Sequence, residues 1–162
     1  MSSDFFSLLE RLINSGVEFV VIGGFAGVVH GCTYVTQDVD ICCDFSSSNL
    51  LALQKALSYL NPVRRMTPKR KKLQLTEKTI NQFKNLYLDT RIGQLDCLSF
   101  VDGIDNFKQV KKASRIVKVD NMKIRVLSLD ALIEAKNAMK RPRDKEAILQ
   151  LESIKKLRKK KQ

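Results

Sequence analysis

The segment Val17-Glu18-Phe19-Val20-Val21-Ile22-Gly23-Gly24, followed by Asp38-Val39-Asp40-Ile41-Cys42-Cys43, is the most informative part of the sequence about the fold. Each half contains a run of apolar, largely β-branched residues, which predicts a buried strand. The glycine pair ends the first strand and predicts a tight turn into a short helix over 25–30. Asp38 and Asp40 are two residues apart in the second strand, so we expect both side chains on one face of the sheet.

Helical and strand patterns continue on both sides of this segment. Helices are expected over 4–14, 46–60, 128–140 and 143–156, and strands over 73–75, 85–89, 94–100, 116–119 and 123–127. This order predicts an α+β fold of α/β-like character, with a mixed β-sheet packed by helices and further helices at the C-terminus. The 162 residues suit a single domain over 1–150, with the end of the last helix and a basic tail over 151–162.

The net charge of +12 originates in two short segments. Six basic residues lie in the first basic segment, namely Arg64, Arg65, Lys69, Arg70, Lys71 and Lys72, and six more lie between Lys155 and Lys161. Without these 12, the remaining 17 Lys and Arg equal the 17 Asp and Glu. Clusters of this kind favour a polyanion such as RNA through counterion release. A solvated loop and a solvated tail are the alternative.

The composition favours a cytoplasmic protein without a membrane segment. No apolar run approaches the roughly 18 residues that a bilayer crossing needs, and Met1-Ser2-Ser3-Asp4 lacks the features of a signal peptide. The four cysteines, Cys32, Cys42, Cys43 and Cys97, show no CxxC spacing. We therefore expect reduced thiols that serve as small apolar side chains.

Asp38 and Asp40 are the first candidates for chemistry. On a strand their Cα atoms lie roughly 6.5–7 Å apart, so the two carboxylates repel each other unless a cation lies between them. Oxygen ligands of this kind suit Mg²⁺. Asp96 is the third candidate, because an isolated acid in the apolar stretch 94–98 is costly to bury without a partner. Turn or capping chemistry at the start of the strand is the alternative for the Asp-Val-Asp pattern alone.

Two groups of residues together resemble a known family. The first is Gly23-Gly24-Phe25-Ala26, His30-Gly31, Thr36 and Asp38-Val39-Asp40, and the second is Val126 to Ile133, Lys136 and Arg141-Pro142-Arg143-Asp144. They are similar to the signature of DNA-polymerase-β-like nucleotidyltransferases, in particular the minimal, toxin-type branch with the AbiEii-like toxins. The resemblance covers roughly residues 17–45 and 92–150.

The resemblance implies a nucleotidyltransferase fold and an Mg²⁺-dependent transfer of a nucleoside monophosphate from a nucleoside triphosphate, such as ATP, to an acceptor hydroxyl. It implies that Asp38, Asp40 and Asp96 are catalytic and bind the metal, with two Mg²⁺ ions expected. The implied nucleotide-binding residues are Gly23, Gly24, Thr36, Lys136 and Arg143. His30 is expected to be a packing or hydrogen-bonding residue rather than a catalytic base.

The acceptor is open between two macromolecules. The basic segments favour RNA, tRNA-like by resemblance, contacted by the first basic segment, which we expect near the active-site face. The resemblance also implies the toxin of a toxin–antitoxin pair, with an antitoxin partner, and it allows a protein acceptor. Where this branch commonly has Arg, four residues before Asp38, the chain has Tyr34. A catalytically silent RNA-binding module with the same fold is therefore the alternative to an enzyme.

Overall fold

The computed structural model describes residues 3–161, which form six α-helices and nine β-strands. The helices are α1 (Ser3–Asn14), α2 (Gly23–His30), α3 (Ser47–Leu57), α4 (Phe107–Lys112), α5 (Leu129–Met139) and α6 (Lys145–Lys160). The strands are β1 (Phe19–Ile22), β2 (Asp38–Cys43), β3 (Val63–Arg64), β4 (Asn85–Thr90), β5 (Gly93–Leu98), β6 (Phe100–Val101), β7 (Asp105–Asn106), β8 (Ser114–Val119) and β9 (Met122–Leu127). Residues 1, 2 and 162 of the expected domain and tail lie outside the described part.

Seven of these strands form one mixed sheet in the order β3-β4-β5-β2-β1-β9-β8, and β6 pairs with β7. The central strand β2 runs antiparallel to β1 and parallel to β5, and β1 runs parallel to β9. The outer pairs β3–β4, β4–β5 and β8–β9 are antiparallel. This sheet, packed by helices, confirms the expected fold class.

The two faces of strand β2 differ in chemistry because strand residues alternate. Val39 and Ile41 point to one face and are fully buried, as are Leu95 and Cys97 on β5. The hydrophobic core that contains them also includes Leu8, Leu9 and Leu12 of α1. Asp38 and Asp40 point to the other face and are only half-buried. The sheet therefore presents carboxylates opposite its best-packed apolar face.

Capping residues confirm two predicted helix starts. The Ser46 hydroxyl accepts a hydrogen bond from the N–H of Asn49 at the start of α3, and the Ser128 hydroxyl accepts one from the N–H of Ala131 at the start of α5. Such caps satisfy backbone donors that have no partner within the helix. The α3 pattern ends earlier than expected, since a 3-10 turn occupies Ser58–Leu60. Helix α6 ends later than expected, so the basic tail is largely helical.

The expected strand over 73–75 is wrong. Leu73 and Leu75 are buried, which explains the strand-like pattern, but the N–H of Leu75 donates to the side-chain oxygen of Gln54 at 2.6 Å. A side chain thus takes the place of a neighbouring strand. The expected strand over 94–100 ends at Leu98, and Phe100 already belongs to β6. The sequence does not predict β7 and α4, and it does not separate β3 and β6 as strands of their own.

The four cysteines are buried, and within residues 3–161 the structure gives each as a free thiol, which confirms the expectation for their packing role. Cys42 lies on the aspartate-bearing face of β2 and Cys43 on the opposite face, as their adjacency requires. Within residues 3–161, no helix has both the length and the apolar character that crossing a bilayer requires.

Candidate active site

Three carboxylates meet on one face of the sheet. The parallel register of β2 and β5 places Asp40 directly beside Asp96, and Asp38 lies two residues before Asp40 on the same face. Each aspartate offers one oxygen within 4.8 Å of those of the other two. The structure thus brings together the three residues that the sequence singled out. The deciding contribution is the β2–β5 pairing, because Asp96 is 56 residues away from Asp40 in the chain.

The three aspartates stand in each other's electric field. Burial, followed by the negative charges of Asp38 and Asp96, raises the pKa of Asp40 to about 7, although Lys136 acts in the opposite direction. Burial also raises the pKa of Asp96, against the lowering effect of Arg65. A cation among these oxygens would relieve the repulsion, and hard carboxylate oxygens are ligands that Mg²⁺ prefers. The cluster is therefore positioned to bind a divalent metal ion.

Gly23 is in direct contact with this cluster. It begins α2 immediately after β1, and its φ of +68° lies in the left-handed region that favours glycine. A Cβ atom at Gly23 would lie 2.2 Å from Oδ2 of Asp40. Gly24 faces Thr36, whose hydroxyl donates to the backbone oxygen of Asp38 at 2.9 Å. The glycine turn therefore brings the N-terminal end of α2 against the carboxylates.

A second wall of the site is basic. Lys136 of α5 is buried, and its Nζ lies 3.6 Å from Oδ1 of Asp144. Arg141 donates to both oxygens of Asp144, at 2.5 and 3.2 Å. Burial alone would raise the pKa of Asp144, but Arg141 and Lys136 outweigh it and lower that pKa below its ordinary value. Arg143 is exposed beside this group.

These residues line a cleft of about 670 Å³. The lining includes the three aspartates, Gly23 and the basic residues Lys136, Arg141 and Arg143. The rest of the lining is mainly apolar and aromatic, and the sequence analysis gave none of these residues a role in the site: Ile22, Tyr87, Leu98, Phe100, Val101, Leu127, Leu132, Ala135 and Met139, together with Asn85 and Asp102. Tyr87 pairs with Asp96 across β4 and β5, a register that only the fold reveals. Phe100 is half exposed, and the strand predicted over 94–100 gave no reason to place it in the site.

Arg65 reaches the carboxylates from the first basic segment. Its Nη2 donates to Oδ1 of Asp96 at 2.5 Å, and its Nη1 lies 3.4 Å from Oδ1 of Asp89. The neighbouring Arg64 points elsewhere, with its guanidinium carbon 4.6 Å from the ring centroid of Phe83. The segment therefore begins at the active-site face, as expected. Its remaining basic residues, Lys69, Arg70, Lys71 and Lys72, are exposed, and Arg70 pairs with Asp89.

Tyr34 and His30 are not among the described residues that line the cleft. The Tyr34 hydroxyl is buried against α2, where a Cβ atom at Gly27 would lie 1.9 Å from it, and it has no hydrogen-bond partner within residues 3–161. His30 Nε2 lies 2.8 Å from the backbone oxygen of Leu127, and its Nδ1 faces Arg158. His30 is thus a hydrogen-bonding residue between elements, as the sequence suggested.

Solved structures share this architecture. A protein of Thermotoga maritima assigned as a nucleotidyltransferase is 18% identical, with a TM-score of 0.57 over 96% of this chain and 91% of its own. The antibiotic-resistance factor ANT(2'')-Ia, in complex with adenylyl-2''-tobramycin, is 13% identical, with a TM-score of 0.58 over 95% and 92%. The lincosamide antibiotic adenylyltransferase LnuA, bound to lincomycin, is 17% identical, with a TM-score of 0.64 over 95% and 98%. No family model and no curated protein sequence matches the chain. The chain has the nucleotidyltransferase fold.

Proposed function

We propose that this protein is a metal-dependent nucleotidyltransferase that transfers a nucleoside monophosphate from a nucleoside triphosphate to an acceptor hydroxyl. The observation that carries the proposal is the cluster of Asp38, Asp40 and Asp96 against the Gly23 turn, in a nucleotidyltransferase fold. A structural role alone would not explain three mutually repelling carboxylates in the lining of one cleft.

Each wall of the cleft has a proposed task. Asp38, Asp40 and Asp96 hold Mg²⁺, with two ions expected, and bound Mg²⁺ supplies charge neutralisation for the phosphates. The backbone N–H groups of Gly23 and Gly24, at the start of α2, donate hydrogen bonds to phosphate oxygens. Thr36 packs against Gly24 and supports this turn. Lys136 and Arg143, which also line the cleft, offer positive charge to the same phosphates. The acceptor hydroxyl then attacks the α-phosphorus in line and gives its proton to Asp96, the candidate base, while the bond between the α-phosphorus and the pyrophosphate leaving group breaks.

The test is transfer of label from each α-³²P nucleoside triphosphate in the presence of Mg²⁺. We expect Asp38→Asn to abolish transfer, because it removes one metal-binding charge while keeping the shape of the side chain. Asp120→Asn is the matched control, since Asp120 is exposed in the turn between β8 and β9. Equal transfer by the two variants would refute the proposed site. Absence of transfer by the folded wild-type protein with every nucleotide and acceptor would favour the silent RNA-binding module.

RNA, tRNA-like, is the proposed acceptor. The exposed Lys69, Lys71 and Lys72 follow Arg65, whose side chain contacts Asp96, so positive charge extends outward from the cleft along this segment. Three acceptor pools distinguish the outcomes: total RNA, a protein lysate, and small hydroxyl compounds such as an aminoglycoside and a lincosamide. Label on protein would instead assign a protein nucleotidylyltransferase, and label on the small compounds would assign the acceptor class named for two of the structural neighbours.

A toxin role, with an antitoxin partner, rests on the sequence resemblance. The proposed compartment is the cytoplasm, which suits four buried free thiols. Induced expression should then arrest bacterial growth with the wild-type chain and not with Asp38→Asn. Arrest by both would point to a cause other than nucleotidyl transfer, and normal growth with both would argue against a toxin.

A further inference from the structure

Arg65 is the only basic side chain that the described ion pairs place on an aspartate of the cluster. Besides Asp96 and Asp89, it donates to the backbone oxygen of Leu88 at 3.1 Å. Its side chain is 21% exposed, against 14% for Asp96, so the contact is largely screened from water. A guanidinium held by three acceptors on β4 and β5 has little freedom to swing outward.

The surroundings distinguish Arg65 from the rest of the first basic segment. Arg70 shares Asp89 with it but has no contact with the cluster, and its side chain is 56% exposed. Arg64 lies over the ring of Phe83. The backbone N–H of Arg65 donates to the oxygen of Tyr87 at 2.8 Å, which ties the residue to β4 beside Asp96. Sequence alone places all six basic residues in one class, and the fold separates this one.

We propose that Arg65 is a positioning residue for Asp96 rather than an RNA contact: it fixes one oxygen of this carboxylate and at the same time moderates the attraction of the cluster for cations. This inference rests on the proposed function. With Oδ1 committed to Arg65, Asp96 is held in one orientation and presents its remaining oxygen to the site. The positive charge beside it opposes the binding of a divalent ion.

Geometry and charge can be separated by two substitutions. Arg65→Met keeps much of the side-chain volume and removes both the charge and the donors. Arg65→Lys keeps the charge but has a compact head group that cannot bridge Asp89 and Asp96 as the planar guanidinium does. Arg64→Met is the matched control, because it removes the same charge one residue away, where no contact with the cluster exists among the described residues.

The measurement is Mn²⁺ binding, followed by calorimetry or by the electron paramagnetic resonance of free Mn²⁺, which requires neither nucleotide nor acceptor. For Arg65→Met we expect a dissociation constant lower by roughly threefold or more, because the loss of a nearby like charge outweighs the looser carboxylate. Arg65→Lys and Arg64→Met should bind Mn²⁺ as the wild-type chain does. In transfer assays, both Arg65 variants should lose kcat by roughly tenfold or more. Arg115→Met, which removes an exposed charge on β8 outside both basic segments, should keep it.

The outcomes separate the two proposals. If the wild-type chain binds Mn²⁺ and Arg65→Met binds it equally or more weakly, the proposed role of Arg65 is overturned. The proposed function would remain intact. The same holds if RNA affinity falls equally in Arg65→Met and Arg64→Met with no change in metal binding, since Arg65 would then be an ordinary RNA contact. Absence of Mn²⁺ binding by the folded wild-type chain would refute the proposed function, and with it this inference.

Discussion

Single residues at the site are constrained by one another. Asp40 is half-buried at a position where its own charge is unfavourable, and partial burial and then its two neighbours raise its pKa to about 7. The space it occupies exists only because residue 23 has no side chain. Gly23 thus permits a carboxylate at a position where its charge is unfavourable, which agrees with the proposed binding of a cation there.

This relation predicts the effect of Gly23→Ala. The new methyl group would lie 2.2 Å from Oδ2 of Asp40, so either Asp40 or the start of α2 has to move, and transfer should fall by roughly a hundredfold or more. Gly16→Ala is the control, because Gly16 has a similar φ of +72° but nothing within 4 Å of its Cβ position. Both variants carry roughly 1–2 kcal/mol of left-handed strain. The loss in thermal stability of Gly16→Ala measures this strain, and any larger loss in Gly23→Ala measures the displacement of Asp40 or α2. Full transfer activity in Gly23→Ala would contradict the contact with Asp40.

Among the elements, α5 and the 3-10 turn Pro142–Asp144 form a unit that holds a buried lysine. Lys136 and Arg141 share the carboxylate of Asp144, whose side chain is only 8% exposed. Pro142 sets the turn that brings Asp144 back over α5. Without this carboxylate, Lys136 would lose its ion-pair partner in a buried position, which is costly.

We therefore expect Asp144→Asn to lower the free energy of unfolding by roughly 3 kcal/mol near pH 7. Because the pKa of Asp144 is lower in the folded than in the unfolded chain, its contribution is complete above the ordinary carboxyl pKa and disappears as pH falls through the folded value. The difference between variant and wild type, measured by urea unfolding, should shrink below about pH 4. Asp130→Asn is the control, since Asp130 is 70% exposed in its pair with Lys155 and should change little. An Asp144→Asn effect of equal size at pH 7 and pH 3 would exclude the ionised pair as its cause.

The sequence was informative where pattern and chemistry coincide in one short stretch. The β1–α2–β2 segment was predicted nearly to its ends, because β-branched runs, the glycine pair and the two aspartates all lie in 27 residues, 17–43. Asp96 could be proposed because an acid in an apolar strand needs a partner. The apolar lining residues could not be proposed, since residues such as Phe100 and Met139 are brought into one cleft only by the fold. The sequence groups Arg65 with its basic neighbours as an RNA contact. No local pattern indicates its contact with Asp96, because that contact depends on how β4 pairs with β5.

Across the whole molecule, positive charge is concentrated in the first basic segment and along the last turns of α6. Deleting the chain after Leu151 would not isolate the charge of the tail. It would remove Ile154, which packs on the core, and Arg158, which donates to the backbone oxygen of His30 at 3.3 Å. Lys159 and Lys160 are exposed, and the structure gives them no ion pair among the described residues. Their charge can therefore be removed without disturbing the packing of α6.

If α6 contributes to RNA binding, Lys159→Gln/Lys160→Gln should weaken it and reduce the slope of log affinity against log salt by about 1.4, since each phosphate contact to single-stranded RNA contributes about 0.7. The control is Lys118→Gln/Lys123→Gln, two exposed lysines paired across β8 and β9, outside both basic segments. The two double variants have the same net charge, so a difference in slope reports local contacts and not the overall field. Equal slopes in the two variants would show that α6 contributes only to the overall charge, and RNA recognition would then depend on the first basic segment alone.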